Sequence, residues 1–250
     1  MISKTLFAKK LKSKWVILIL VLGYLGVWAF PIIFNSLTPH ETLDRATMSD
    51  QMGDSFFFIF TVLLASLVCS DSISEDLRSN SFVLYFSRAI KKESYLAGKI
   101  GGIFMTLALF CLIPPIIMAM ALLGTQSGSD YLGGLGVLGL TVVSGLVATL
   151  FLIPFSLMIS ALTNRKSFAA VGTFMTYFIL SIIGSIFSEF NVNWQLLDPG
   201  SLQAFFFDWL YGEDMPHGVS GGLAAAMFCA FAVVPMAIVY YRVHQKGVGK

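Results

Sequence analysis

The side chains able to perform chemistry are few here, and their spacing is wrong for it. The only histidines are His40, His217 and His244. All of them fall in polar connecting stretches and no two stand at a metal-ligand spacing, so neither zinc nor haem ligation is expected. Cys69, Cys111 and Cys229 lie inside apolar stretches, where a thiol packs as a small apolar group, and they imply no disulfide framework. A GxxxxGK[ST] phosphate cradle would need glycine five positions ahead of Gly98-Lys99, and Glu93 stands there; the chain has no ATP site of that type. Ser144, Ser156 and Ser160 sit in apolar stretches with no base beside them, which leaves a serine unactivated. No catalysis is expected.

The most structured polar segment runs from Asp71 to Lys99, DSISEDLRSNSFVLYFSRAIKKESYLAGK. Ile73 and Leu77, four apart, place one apolar face on a helix through Ser72–Arg78. Ser79-Asn80-Ser81 then breaks the pattern and offers an N-cap. Phe82, Val83, Leu84, Tyr85 and Phe86 follow as an apolar run bounded by Arg78 and by Arg88, Lys91 and Lys92. Two readings stand level on composition. The run is a short helix lying in lipid headgroups with its cations snorkelling, or it is a knob that docks in a groove on a cytosolic partner.

The elements holding these residues are membrane spans. Of the 250 residues, 56% are hydrophobic and 12% charged, against roughly 25% charged in soluble domains, and the mean hydropathy is +0.81. The composition argues against a soluble globular enzyme and excludes a disordered or nucleic-acid-binding chain. Six segments carry no Asp, Glu, Lys or Arg: Trp15–Phe34, Ser55–Ser70, Ile100–Gly124, Leu132–Leu162, Phe168–Phe187 and Val219–Tyr241. Each is continuous, without the two-residue alternation of a barrel strand, and lipid offers backbone amides no partner, so each is expected to be helical. The fourth is long enough to tilt. The fold class is therefore an all-α integral membrane protein: one domain over residues 1–250, with spans at about 15–34, 55–70, 100–124, 132–162, 168–187 and 219–241. No span contains a charge or a histidine, which argues against ion-coupled transport.

The charges set the sidedness. Every Lys and Arg except Arg45 lies in the N-terminal stretch, the second loop, the fourth loop or the C-terminal tail. The alternate loops hold Glu41, Asp44, Asp50, Asp54, Asp130, Glu189, Asp198, Asp208, Glu213 and Asp214. The positive-inside rule makes both termini cytoplasmic, in a multi-pass protein of the cell membrane. The basic start lacks a small-x-small cleavage site and reads as a retained first helix. Within Ile2–Ser13, Ile2, Leu6, Phe7 and Leu11 alternate with lysines, an amphipathic N-terminal helix along the headgroups.

The outer loops carry their own signals. Ser188–Gly218 is too aromatic for a solvated loop, and Ser201 offers a cap for a helix in it. Thr38-Pro39-His40-Glu41 has capping-box spacing for a small helix. Pro114-Pro115, Pro154 and Pro235 are expected to kink spans three, four and six.

The residues also resemble a family. Ser74-Glu75-Asp76, Leu84-Tyr85-Phe86-Ser87-Arg88 and Tyr95-Leu96-Ala97-Gly98-Lys99 in the second loop are similar to the permease subunits of ABC-2 type transporters. Ser160-Ala161-Leu162-Thr163-Asn164-Arg165 with Ala169-Ala170, and Leu196-Leu197-Asp198-Pro199, resemble the same family. The resemblance implies that Phe82, Val83, Leu84, Tyr85, Phe86 and Arg88 form a cytoplasmic coupling helix between spans two and three that docks an ATP-binding-cassette ATPase subunit. It implies a second permease subunit, expected as a homodimer, and alternating access driven by that ATPase. Any ATP and magnesium would be bound by the partner, so the chain itself needs no cofactor and is no enzyme. Glu75 and Asp76 with Arg78 are read as a polar network, with ion pairs at i, i+3, that holds the loop to span two. The competing reading is a non-transporting scaffold or sensor that recruits a cytosolic protein through residues 71–99. Partners are the lipid bilayer and proteins, not nucleic acid.

Overall fold

A backbone in hydrocarbon must bond to itself, and the computed structural model does so through helices. It describes residues 2–29, 31–33, 43–79, 92–124, 126, 128–215 and 218–247, and contains no strand among them. Among the described residues 88% are helical, and six candidate spans stand among them.

Helix α1 (Ile2–Leu11) precedes α2 (Lys14–Gly23), which widens into a π-helical turn over Tyr24–Ala29. Span one runs from Lys14 to Ile33. A short α3 (Arg45–Gly53) is capped by Asp44, whose carboxylate accepts from the Thr47 amide at 2.7 Å. Asp54 caps α4 (Ser55–Ser70) in the same way, from Phe56 and Phe57. After a single turn the chain resumes helix as α5 (Ser74–Arg78), so span two extends to Arg78. The segment Thr38–Glu41 lies outside the described residues.

Span three consists of α6 (Lys92–Cys111) and α7 (Ile113–Leu123), broken at Leu112. The break sits where Pro114 and Pro115 open α7, positions at which the missing amide hydrogens cost nothing. Span four is α8 (Ser129–Leu162), which continues through Pro154. A Cβ on Gly145 would stand 2.7 Å from the Cys111 carbonyl oxygen, so α8 crosses directly against the break. Span five is α9 (Lys166–Ser188), followed by a 3-10 turn over Val192–Leu197 and by α10 (Pro199–Tyr211). The cap of α10 is Asp198, not Ser201. Its carboxylate accepts from the Gly200 and Ser201 amides at 3.2 and 3.1 Å, because Asp198 is the last extended residue before Pro199 at the first helical position. Span six is α11 (Gly221–Gly247), continuous through Pro235.

Spans two, three and four have more than half of their apolar windows buried, whereas spans one, five and six have less than a quarter. The first three form an inner layer and the others an apolar outer layer. Trp28 meets Phe57 edge-on at 5.5 Å, and Phe57 stacks on Phe110 at 5.8 Å, locking span one to spans two and three. Phe206 of α10 stacks on Phe228 at 4.2 Å, and Phe228 on Phe151 at the same distance, seating α10 on spans six and four. Buried hydroxyls in the spans, among them Thr61, Thr106, Thr141 and Thr149, donate to carbonyls one turn back, which satisfies them without a second helix.

Candidate functional site

The sequence singles out the joint between spans two and three, and the structure builds that joint from several helices at the basic end of the bundle. Its foundation is Ser160, near the end of α8. The turn after Ser70 leaves backbone amides unpaired, and the Ser160 hydroxyl accepts from two of them, Ile73 and Ser74, each at 3.2 Å. The same oxygen donates to the Ser70 carbonyl at 3.1 Å. One hydroxyl therefore fixes both sides of the turn that sends α5 away from α4.

From that fixed turn, α5 carries Asp76 into contact with span three. The Asp76 carboxylate accepts from the Tyr95 hydroxyl at 2.5 Å and pairs with the Lys99 ammonium at 2.8 Å. Asp76 and Lys99 are only 9% and 8% exposed. Tyr95 and Lys99 stand one helical turn apart on α6, which brings both onto one face, and the ammonium lies 5.5 Å from the Tyr95 ring centre. A buried ion pair of this kind stabilises little by itself, but breaking it strands a charge.

Helix α1 closes the joint from the other side. Leu6 is buried against Gly102 of α6, where a Cβ would stand 2.7 Å from the Leu6 side chain. Lys10, 4% exposed, pairs with Asp71 and donates to the Leu67 carbonyl at 3.4 Å. Burial outweighs Asp71 and holds the Lys10 ammonium below the ordinary lysine range. Lys9 and Glu75 pair at 2.9 Å in the open, and the hydrogen bond to Glu75 lifts Lys9 above that range. These contacts bolt α1 to spans two and three. Span six joins through Lys92, which donates to the His244 carbonyl at 3.2 Å, while the His244 ring stands 3.9 Å from Glu93.

Glu75 and Asp76 thus face lysines of α1 and α6, and Arg78 is exposed. Phe82, Val83, Leu84, Tyr85, Phe86 and Arg88 lie outside the described residues, but the chain on either side of them is anchored. Sequence reasoning assigned no role to Lys10, Asp71, Tyr95, Lys99 or Ser160. The i, i+4 spacing of Tyr95 and Lys99 was a usable signal; the Lys10–Asp71 pair spans some sixty positions and had none. Among the described residues no three His, Cys, Asp or Glu side chains cluster to hold a metal. The pairs Lys10–Asp71, Lys9–Glu75 and Asp76–Lys99 each tie one helix to another, so the arrangement can transmit force.

The acidic end is also cross-braced. Ser49 of α3 donates to Asp208 of α10 at 2.8 Å, and burial lifts that carboxyl above its usual range against the opposing Ser49 bond. The Tyr211 hydroxyl bonds Ser144 and Thr141 of α8 at 3.0 and 3.3 Å. Helices α3 and α10 form a lid over spans two and four.

No curated protein matches the chain. A family model described as ABC-2 family transporter protein matches residues 1–248.

Proposed function

From the premise that this chain belongs to the ABC-2 transporter family, as a membrane protein with six candidate spans and no GxxxxGK[ST] motif, we propose that it is the permease subunit of an ATP-binding-cassette exporter. A separate ATPase docks on residues 82–88 at the cytoplasmic face, and two permease subunits pair in the membrane. ATP-driven closure of the ATPases tilts spans two and three together and alternates access to the cargo path. The observation that carries this reading is the Asp76–Lys99–Tyr95 tie. It joins both flanks of the docking segment, so force applied to that segment reaches two inner spans at once. Ser160 extends the connection to span four. Family membership favours transport over a non-transporting scaffold.

The test is to co-purify the chain with its ATPase and attach spin labels at Glu213→Cys. Trapping ATP should change the label-to-label distance between two permease copies. A single label per complex, or a distance blind to nucleotide, refutes the reading.

A further inference from the structure

We propose that the outward face of span one, headed by Lys12 and Lys14, is a binding surface for anionic phospholipid in the leaflet at the basic end. Docking of α1 sorts its lysines. Lys9 and Lys10 are spent on Glu75 and Asp71, whereas Lys4, Lys12 and Lys14 are exposed and make no ion pair among the described residues. Directly below Lys14, Trp15, Leu18 and Leu22 are 68%, 46% and 50% exposed. At about 100° per residue these three fall within roughly 60° of one another, and Lys14 stands about 40° to the side. An acyl chain lying along that stripe would bring its phosphate to Lys14 and Lys12, with the Trp15 ring at the boundary that indole prefers.

Charge complementarity selects the occupant. The acids at this end are Asp71, Glu75, Asp76 and Glu93. The first three are paired with lysines of their own chain and Glu93 faces His244. A second copy of this chain therefore offers these lysines only the Glu93 carboxylate at their level, whose neighbour is a histidine 3.9 Å away, whereas an anionic headgroup can meet each of them.

The test uses the full-length chain with Trp194→Phe and Trp209→Phe, which leaves Trp15 exposed to lipid and Trp28 buried. It is reconstituted with brominated phosphatidylglycerol or brominated phosphatidylcholine at equal mole fraction. Phosphatidylglycerol should quench tryptophan fluorescence at several-fold lower mole fraction, since the preference is roughly fivefold per lysine near the surface. Replacing Lys12 and Lys14 by Gln should equalise the two lipids. If that double variant does not fold, Lys12→Gln and Lys14→Gln singly should each lower the preference, as should raised salt. Equal quenching by both lipids in the parent, or a preference untouched by the variants, overturns the proposal. So does quenching by neither lipid, which would mean that a protein covers this face. Loss of the preference on adding inorganic phosphate at constant ionic strength overturns it in favour of a soluble anion.

Discussion

Asp76 and Lys99 meet at 2.8 Å from two different spans, and neither has more than a tenth of its surface exposed. Twenty-odd residues of chain separate them, including the whole segment proposed to dock the ATPase, so the pair closes the neck of that loop. Removing one partner should be far worse than removing both. Asp76→Ala or Lys99→Ala alone should destabilise the detergent-purified protein by roughly 3–5 kcal/mol, while Asp76→Leu with Lys99→Met should come close to the parent. Thermal unfolding of the four proteins measures it; additive losses would show that the pair is not buried as described.

The docking of α1 should respond to pH through Lys10 and Lys9 in separate windows. Burial holds the Lys10 pKa below 10.5. An unfolded chain therefore binds more protons than the folded one between the folded value and 10.5, and stability rises with pH across that window. The Lys9 pKa lies above 10.5, so its stabilising contribution is lost only at higher pH, as pH rises through the folded value. Hydrogen exchange of α1 amides, corrected for intrinsic rate, should slow as pH rises toward 10.5 in the parent and not in Lys10→Met.

A methyl group at Gly102 has no room beneath Leu6. Gly102→Ala should lift α1 off span three while the six spans still insert. A cysteine placed at Ser3, which lies against Gly101, should label slowly in the parent background and several-fold faster with Gly102→Ala; equal rates would mean that α1 is not seated there.

At the acidic end, the Tyr211 hydroxyl is the only polar atom of that side chain and bonds two residues of span four. Tyr211→Phe should lower stability by about 1–2 kcal/mol, the worth of bonds whose partners stay buried. An unchanged midpoint in thermal unfolding would remove α10 as a brace.

Sidedness is open to direct labelling. With intact cells and an impermeant thiol reagent, Asp208→Cys should react and Lys246→Cys should not, as the distribution of basic residues requires. Reaction of Lys246→Cys alone would invert the orientation.

Much of this architecture was legible in the sequence, because charge-free runs of span length have few alternatives to helix in lipid. The helical caps were less legible. Asp198 won over Ser201 since the proline after it decides where α10 begins, and α3 was announced only by Asp44 and Thr47, a cap signal too short to stand out. At the joint, the local pair Tyr95 and Lys99 lies on one helical face and could be read. The partners Lys10–Asp71 and Ser160–Ser74 depend on which helices become neighbours, which no periodicity within a single span reports. The pattern of apolar residues and lysines in α1 cannot say whether lipid or span three receives Leu6, nor that Lys10 is buried with it.

The central claim is that residues 82–88 deliver the work of the ATPase to spans two and three. The most direct measurement is retention and stimulation of the ATPase by the Leu84→Ala, Phe86→Ala double variant. Two anchors of a docking knob lost together should weaken binding by roughly 2–4 kcal/mol, while membrane insertion and the thermal midpoint of the permease stay at the parent's values. The account predicts a variant that inserts normally and neither holds its ATPase on a column nor stimulates its ATP hydrolysis. A variant that retains and stimulates the ATPase as the parent does would contradict it.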